Sequence, residues 1–284
     1  MEPYELTGSE GRPGATVFSS PHSGAHYPDD FLRSSQLDPL TLRSSEDAFV
    51  HRLFASAPRH GAPLLSANYA RAYVDLNRAA SELDPALIDV PRRPGLNPRV
   101  AAGLGVIPRV VAEGRAIRSG RIPLATAQDR LDRVYHPYHI ALGHLLEAAR
   151  LREGAALLID CHSMPRGALR HRDRNAAPRP QIVLGDRFGT ACAPWITDLA
   201  QDAFTRAGFV VARNMPFAGG YITETYGRPS QGFHALQIEI DRSLYMDERR
   251  IRPLPGFDAL RARLAPVIAT LATALDVRRQ LAAE

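Results

Sequence analysis

Ala155-Ala-Leu-Leu-Ile-Asp160, followed directly by Cys161-His162-Ser163-Met164-Pro165, is the stretch that decides the fold of this chain. Its apolar run is short and does not alternate with polar residues. Such a run indicates a strand buried on both faces, as in a parallel or mixed sheet covered by helices. The stretch therefore predicts a layered α/β protein and places His162 at the end of a buried strand.

Similar signals lie on both sides of this strand. Residues 15–19 are apolar and β-branched, and they lead into Ser20-Pro-His-Ser-Gly24, so His22 is expected on the loop that ends the strand. The same patterns predict further strands at 72–77, 180–185, 209–213 and 235–241. Helical periodicity predicts helices at 38–57, 126–152 (kinked or split by Pro137), 191–207 and 257–281. Alternating strands and helices favour a three-layer α/β/α sandwich with a mixed sheet.

The 284-residue length is enough for one large domain over residues 1–284. Within it, residues 79–124 are rich in Pro, Gly and Arg, and predict a long irregular excursion that acts as a lid or an insert. No apolar run is long enough to cross a bilayer, and the N-terminus lacks a basic region followed by an apolar one. We therefore expect a cytoplasmic protein without a membrane partner.

The chain contains no lysine, so all 35 of its basic residues are arginine. This excludes a Schiff-base lysine, a pyridoxal-phosphate enzyme and a Walker-type phosphate loop. The net charge of +5 raises the question of nucleic acid, but the arginines are scattered and match no nucleic-acid motif. A small anionic substrate is the better expectation, alongside the plain alternative that the surface arginines reflect codon bias.

Polar side chains cluster near the predicted strand ends, where open α/β sheets bind their ligands. They are His22, Asn77, Arg78, His162 and Glu239. Asn77-Arg78 could bind a carboxylate, or could simply cap a strand end. Glu239, in an apolar strand, could be a buried general base, or could lie on the solvated face of an edge strand.

A metal centre is the other expectation at these strand ends. A catalytic zinc usually takes three ligands from His and carboxylate, and with two cysteines in the chain this is the available set. His22 and His162 are the best candidates, with Asp47 or Glu46 as the carboxylate ligand. Asp160 could orient His162 from behind. His26 and His234 are weaker candidates, and the remaining histidines are assigned structural or surface roles: His51, His60, His136, His139, His144 and His171.

Five motifs occur in a specific order: the strand with SPHSG, Ser45-Glu-Asp-Ala-Phe-Val50, the DLNR of residues 75–78, LIDCHSMP, and QIEIDRSLYM from Gln237. Together they resemble the N-formylglutamate amidohydrolases, over residues 15–270. DLNR alone is also similar to the aspartoacylase and succinylglutamate desuccinylase group. The ordered set of five is the more specific signal.

The resemblance implies a zinc-carboxypeptidase-like fold and a hydrolase of N-acylated acidic amino acids, with one divalent metal of the zinc type. By motif match, the metal ligands would be His22, Asp47 and His162, and Glu239 would be the general base and acid. A substrate carboxylate would be held by Asn77 and Arg78, with the glycine-rich loop of Gly220 and Thr223 nearby. Zinc carboxypeptidases carry HxxE at the first ligand, whereas Ala25 follows His22 here, so the carboxylate must come from elsewhere.

Three alternatives remain at this level. Cys161 could be the nucleophile of a cysteine hydrolase, although adjacent strand residues such as Cys161 and His162 point to opposite faces. The chain could bind an acidic amino-acid derivative without hydrolysing it. It could also act on a different N-acyl group, with residues 79–124 setting the size of the pocket. The oligomeric state and the physiological metal are open.

Overall fold

A central seven-stranded sheet organises the protein in a computed structural model, which describes residues 1–8, 14–91, 97–169 and 179–276. Its spatial order is β1-β3-β2-β4-β7-β5-β6. The strands are β1 (Tyr4–Thr7), β2 (Thr16–Ser20), β3 (Leu64–Ala67), β4 (Ala156–Met164), β5 (Ile182–Gly185), β6 (Val211–Arg213) and β7 (Phe233–Asp241).

The sheet is mixed, as predicted. The central pairs β3-β2, β2-β4 and β4-β7 are parallel, whereas β1 pairs antiparallel with β3 and β5 pairs antiparallel with β7. Every residue of β4 is buried, which confirms the interpretation of its apolar run. The carboxyl ends of β2, β4 and β7 therefore meet at one edge, which is where such sheets place ligands.

Helices cover both faces of this sheet. They are α1 (Asp29–Ser34), α2 (Pro39–Leu42), α3 (Val50–Leu53), α4 (Pro98–Ala101), α5 (Leu124–Arg130), α6 (His136–Glu153), α7 (Pro194–Arg206), α8 (Tyr221–Tyr226) and α9 (Phe257–Ala272). Two short strands, β8 (Met246–Asp247) and β9 (Arg252–Pro253), form a separate hairpin. In the part of the chain described here, no helix is long and apolar enough to span a membrane.

Two apolar cores lie on opposite faces of the sheet, because successive strand residues point to opposite sides. On β4, Leu157, Ile159 and Cys161 pack in one core with α3, α7 and α9. Ala156 and Leu158 pack in the other with α5 and α6. This arrangement confirms the predicted three-layer α/β/α sandwich.

The expected continuous helix over residues 38–57 is wrong. The segment instead contains α2, a 3-10 turn, an extended Glu46, α3 and a second 3-10 turn. Phe49 has a left-handed backbone with φ of 68°, and the Asp47 N–H donates to the His22 carbonyl at 2.9 Å. The backbone bond to His22, which lies outside the segment, therefore replaces a helical bond at Asp47 and turns this residue towards the sheet edge.

The expected strand over residues 72–77 is also wrong, because this segment is a turn. Its alternating apolar residues, Ala72, Val74 and Leu76, all pack in the core on the α6 side. The Asp75 carboxylate accepts the Asn77 N–H at 2.9 Å, a local bond that favours a turn over a ladder. The turn still delivers Asp75 and Asn77 to the sheet edge.

Three side chains of one helical unit hold that turn from behind. Arg130 donates to the Tyr73 carbonyl, Tyr135 donates to the Arg78 carbonyl at 2.8 Å, and His139 lies 3.0 Å from the Leu76 carbonyl. They lie on α5, on a π-helical turn (Leu131–Tyr135) and on α6. Arg130 and Tyr135 are five residues apart, and on a regular α-helix such side chains point about 140° away from each other. The wider π turn between them reduces this angle. The distortion falls just before Pro137, where a kink was predicted.

The described residues of the 79–124 segment are irregular, with α4 and one 3-10 turn as helical pieces before α5 begins. An ion pair between Arg109 and Asp84, at 2.8 Å, braces this segment internally, and the Asp75 N–H donates to its Val106 carbonyl at 2.8 Å. Elsewhere, α7 and the strands at 180–185, 209–213 and 235–241 match their predictions. The helix predicted at 257–281 is α9, and its last residues lie outside the described ranges.

Candidate metal and substrate site

A cavity of about 790 Å³ opens where β2, β4 and β7 end. We call its base the floor, formed by His22, Asp47, His162, Gln237 and Glu239. We call one side the outer wall, formed by residues 99–114 of the irregular excursion. The opposite side is formed by Met164, Arg187, Phe217 and the glycine-rich loop.

Three potential ligand atoms converge on the floor. Asp47 Oδ2 lies 3.0 Å from His162 Nδ1 and 3.5 Å from His22 Nδ1. Among the described residues, His22, Asp47 and His162 are the group whose ligand atoms all lie within 4.8 Å of one another. Two ring nitrogens and one carboxylate oxygen are a donor set that a catalytic zinc site uses.

Carboxylates behind the two imidazoles fix their orientation. His22 Nε2 lies 2.7 Å from Asp75 Oδ1, and His162 Nε2 lies 3.0 Å from Asp160 Oδ2. The second contact is a close ion pair rather than an aligned hydrogen bond, since neither Asp160 oxygen has a hydrogen-bond partner of good geometry. With its proton on Nε2, where Asp75 accepts it, the His22 ring presents its Nδ1 lone pair to the floor.

The structure separates the two neighbouring carboxylates of the Ser45–Val50 motif. Glu46 accepts from the Tyr27 hydroxyl at 2.7 Å and pairs with Arg43, away from the histidines. Asp47 faces both rings, and its other oxygen accepts from Arg242 at 2.8 Å. Asp47 is thus the carboxylate that could join a metal site, while Glu46 supports the local fold.

Carboxylates near the floor create an electrostatic field that favours positive charge on His162. Burial alone would raise the pKa of Asp47, but the hydrogen bond from His162, together with the nearby His22 and Arg242, holds it well below its usual range. Burial would likewise lower the pKa of His162, but Asp160 raises it well above its usual value, with help from Asp47. A field that favours a protonated imidazole also favours a bound cation.

Glu239 lies beside His162 on the neighbouring parallel strand, in direct register. Strand β7 lies between β4 and β5, so Glu239 is on a central strand and not on a solvated edge. It is buried, and this burial raises its pKa to about 7. Gln237, on the same face two residues earlier, donates to Glu239 Oε1 at 3.0 Å.

Asn77 and Arg78 both border the cavity, although the Asn77 amide already has partners. Its oxygen accepts the Ile222 N–H at 2.7 Å, and its nitrogen lies 3.2 Å from His162 Nε2. The Arg78 Nε donates to the Leu104 carbonyl at 2.9 Å, which ties the outer wall to the DLNR turn. Of the pair, Arg78 is the side chain with guanidinium nitrogens left for a ligand.

The glycine-rich loop approaches the floor very closely at Gly220. A Cβ atom there would overlap the Asn77 amide, so only glycine fits. The Gly220 N–H donates to Gln237 Oε1 at 2.7 Å. Thr223, expected near a substrate, is instead fully buried behind Gly219 and is not among the lining residues of the described chain.

The sequence reasoning missed several residues of the site, among them Arg71, Asp75, Gln237 and Arg242. Arg71 lines the cavity, and its Nε donates to Asp75 Oδ2 at 2.9 Å. Asp75 belongs to the DLNR motif, but only the Asn-Arg pair of that motif was predicted to lie in the site. Gln237 lies two residues before Glu239, on the same face of the strand. The period-two alternation of strands could therefore have predicted that it lies beside Glu239.

The cysteine alternative does not fit the structure. Cys161 points into the apolar core opposite His162, and burial raises the pKa of its thiol well above the usual value. His26 and His234 do not line the cavity in the described part of the chain. Neither do the described histidines that were assigned structural or surface roles, and His171 lies outside the described residues.

Comparison with known proteins gives a consistent result. Residues 14–246 match the family model described as N-formylglutamate amidohydrolase. N-formylglutamate deformylases from Pseudomonas putida and Pseudomonas aeruginosa are each 30% identical, over 82% of both chains. The crystal structure of an N-formylglutamate amidohydrolase from Ralstonia eutropha JMP134 superposes with a TM-score of 0.90 at 36% identity, over 99% of this chain and 100% of that one. A match that covers most of the chain and agrees in sequence and in structure establishes kinship, and this chain belongs to the N-formylglutamate amidohydrolase family.

Proposed function

We propose that this protein hydrolyses the N-formyl amide of N-formyl-L-glutamate, giving formate and L-glutamate, and that it does so with a divalent metal, zinc by preference. The single observation that carries the proposal is the convergence of His22, Asp47 and His162 beside the buried Glu239. The deformylase names of its relatives support the reaction.

The three floor residues pass a simple test of fit for such a metal. Zinc bonds of about 2.0–2.1 Å at a tetrahedral angle put neighbouring ligand atoms about 3.3 Å apart. The two contacts of Asp47 Oδ2, at 3.0 and 3.5 Å, bracket that value. His22 Nδ1 is buried without a hydrogen-bond partner, a cost that a bound cation would remove.

In the proposed site, His22 Nδ1, His162 Nδ1 and an Asp47 oxygen hold the metal. When bound, the metal supplies Lewis acidity, which lowers the pKa of water and polarises the amide carbonyl. Asp75 and Asp160 keep the two rings turned so that Nδ1 faces the floor. Arg242, paired with Asp47 at 2.8 Å, fixes the carboxylate that completes the set.

Glu239 accepts the proton of the attacking water and later delivers it to the leaving amine. A general base works best when its pKa lies near the operating pH, and burial brings Glu239 to about 7. Its register position on β7, directly beside His162, supports this role. Its bond from Gln237 keeps one oxygen engaged, which leaves the other for proton transfer.

The arginines give the cavity its preference for anions. Five line it: Arg71, Arg78, Arg99, Arg187 and Arg242. We assign Arg78 to a substrate carboxylate, and Asn77 to holding the start of α8 against His162 rather than to the substrate. Arg71 is the arginine placed to stabilise the oxyanion, because it lies close enough to interact electrostatically with both Asp47 and Glu239.

The test is amine release from a panel of N-acyl amino acids by purified protein, with added zinc and with a chelator. We expect release from N-formyl-L-glutamate that a chelator abolishes and zinc restores. Inert N-formylglutamine would show that the second carboxylate is read. His26→Ala serves as a control, since it removes a histidine that does not line the cavity, whereas His22→Ala should lose both metal and activity.

Other outcomes would redirect the proposal in definite ways. Release only from acetyl or succinyl amino acids would keep the chemistry and change the acyl group. Release that survives complete metal removal would refute metal dependence. Tight binding of N-formylglutamate without turnover, with zinc present, would favour a non-catalytic binding protein.

A further inference from the structure

Gln237 is a buried side chain in the floor, and the oxygen and the nitrogen of its amide each have a hydrogen-bond partner. Its oxygen accepts the Gly220 N–H at 2.7 Å, and its nitrogen donates to Glu239 Oε1 at 3.0 Å. Because a backbone N–H can only donate, the oxygen of this amide must face Gly220. Its NH2 group must therefore face Glu239, so the orientation of the amide is set by chemistry.

Gln237 and Glu239 are also matched to the ligand strand. They lie on one face of β7, and their register partners on β4 are Asp160 and His162. The residue behind the metal ligand and the residue behind the base thus occupy the same level of two neighbouring strands. This parallel suggests that Gln237 serves Glu239 as Asp160 serves His162.

The link continues into the glycine-rich loop. Gly220 lies so close to Asn77 that a Cβ would overlap the amide, and the Asn77 oxygen accepts the next available N–H, that of Ile222. The loop between α8 and the cavity is thereby tied to the floor at two points, Asn77 and Gln237. Only the second tie also reaches the base.

We propose that Gln237 is a positioning residue that fixes the carboxylate of Glu239 relative to the glycine-rich loop and so aims it at the attacking water. This inference rests on the proposed role of Glu239 as the base. A buried carboxylate has few other donors to hold its rotamer, and a misplacement of about 1 Å at a reacting group can cost about 100-fold in rate.

The test is a double-mutant cycle between Gln237→Met and Glu239→Gln, with kcat and KM measured at saturating metal. Methionine keeps the length of the side chain and removes both hydrogen bonds. We expect Gln237→Met to lower kcat about 10- to 100-fold in the native background. In the Glu239→Gln background it should change kcat by no more than about threefold, because a residue that acts through the base has nothing left to position.

A second variant, Gln237→Glu, separates the two bonds at a pH where both carboxylates are ionised. It keeps an acceptor for the Gly220 N–H and loses the donor to Glu239. We expect kcat to fall as in Gln237→Met, with KM within about twofold of the native value. Gln201→Met is the matched control. Gln201 lies on α7, away from the cavity, and accepts a hydrogen bond from Arg213 of β6.

Metal content and thermal unfolding of each variant show whether the floor is intact. Equal losses from Gln237→Met in both backgrounds would overturn the proposal, because they would show a role independent of Glu239. A Gln237→Glu enzyme with native kcat would overturn it as well, since the bond to the base would then be dispensable. An unimpaired Glu239→Gln enzyme would instead refute the proposed base, and the positioning role would fall with it.

Discussion

The floor and the outer wall of the cavity are built in opposite ways. The floor is buried and projects from β4, from β7 and from the loops that hold His22 and Asp47; Asp47 is paired with Arg242, and His22 with Asp75. The outer wall is irregular and is joined to the DLNR turn by bonds to its Leu104 and Val106 carbonyls. We infer that the floor carries the chemistry, whereas the wall adjusts which substrate reaches it. The predictions below test this division.

The largest effect is expected from Asp47→Ala. It removes a proposed ligand and leaves Arg242 buried without its carboxylate, which costs about 3–5 kcal/mol in the free energy of unfolding. Urea denaturation, metal analysis and amine release would check these losses together. Glu46→Ala is the comparison: it should destabilise the protein through Tyr27 and Arg43 yet retain metal. Normal metal content in Asp47→Ala would contradict our view of the floor.

Glu239→Gln is expected to lower kcat about 100- to 10,000-fold with little change in stability. The base acts when ionised, so in the native enzyme kcat/KM should fall as the pH drops through the pKa of Glu239. That pKa is about 7 without a cation, and a bound cation would lower it, so the acidic limb belongs at or below pH 7. A pH profile of both enzymes checks this, and an unchanged acidic limb in the variant would remove the assignment.

Arg78→Ala should act mainly on substrate affinity. Loss of a charge-assisted hydrogen bond costs about 1.5–3 kcal/mol, which corresponds to a rise in KM of about 10- to 150-fold. The Leu104 carbonyl also loses its donor, so the wall should become more mobile than in the native protein. Arg78→Lys keeps the charge without the fork and should recover only part of the affinity. An unchanged KM would show that another arginine binds the carboxylate.

The smallest effect is expected at the wall. Glu113 lines the cavity and brings a negative charge to a space otherwise rich in arginine. Glu113→Gln should therefore lower KM for a dianionic substrate about twofold and leave kcat unchanged, as expected for an exposed charge. Steady-state kinetics with N-formylglutamate and a neutral N-acyl amino acid would show the difference. A large loss of kcat would break the division between wall and floor.

Sequence reasoning found the floor because short apolar runs mark buried strands, and their ends share one edge of the sheet. On this basis it predicted that His22, His162 and Glu239 lie near strand ends at one edge of the sheet. It failed over residues 72–77, where the alternation of apolar residues is that of a strand. There a local bond from the Asn77 N–H to Asp75 favours the turn, and bonds from Arg130, Tyr135 and His139 to backbone carbonyls hold it; the apolar pattern contains neither.

The choice between Asp47 and Glu46 shows a second limit. Two adjacent carboxylates offer the same chemistry in sequence, and their roles depend on which way each points. A backbone bond from Asp47 to His22 and the left-handed Phe49 settle the direction. The predicted continuous helix would have hidden this, because it allows neither feature.

Arg130, Tyr135 and His139 form a helical clasp behind the DLNR turn, and none of them lines the cavity, so the proposed site depends on residues outside it. Arg130, Tyr135 and His139 hold the turn by its carbonyl groups, and that turn presents Asp75 and Arg78. A screen for inactive variants should therefore recover changes on a helix remote from the cavity. Deleting one residue to straighten the π turn would rotate the clasp. It would thereby shift Asp75 and change the orientation of His22, although His22 itself is not mutated. For protein engineers, α5 and α6 are thus a fixture to be left intact while the outer wall is redesigned.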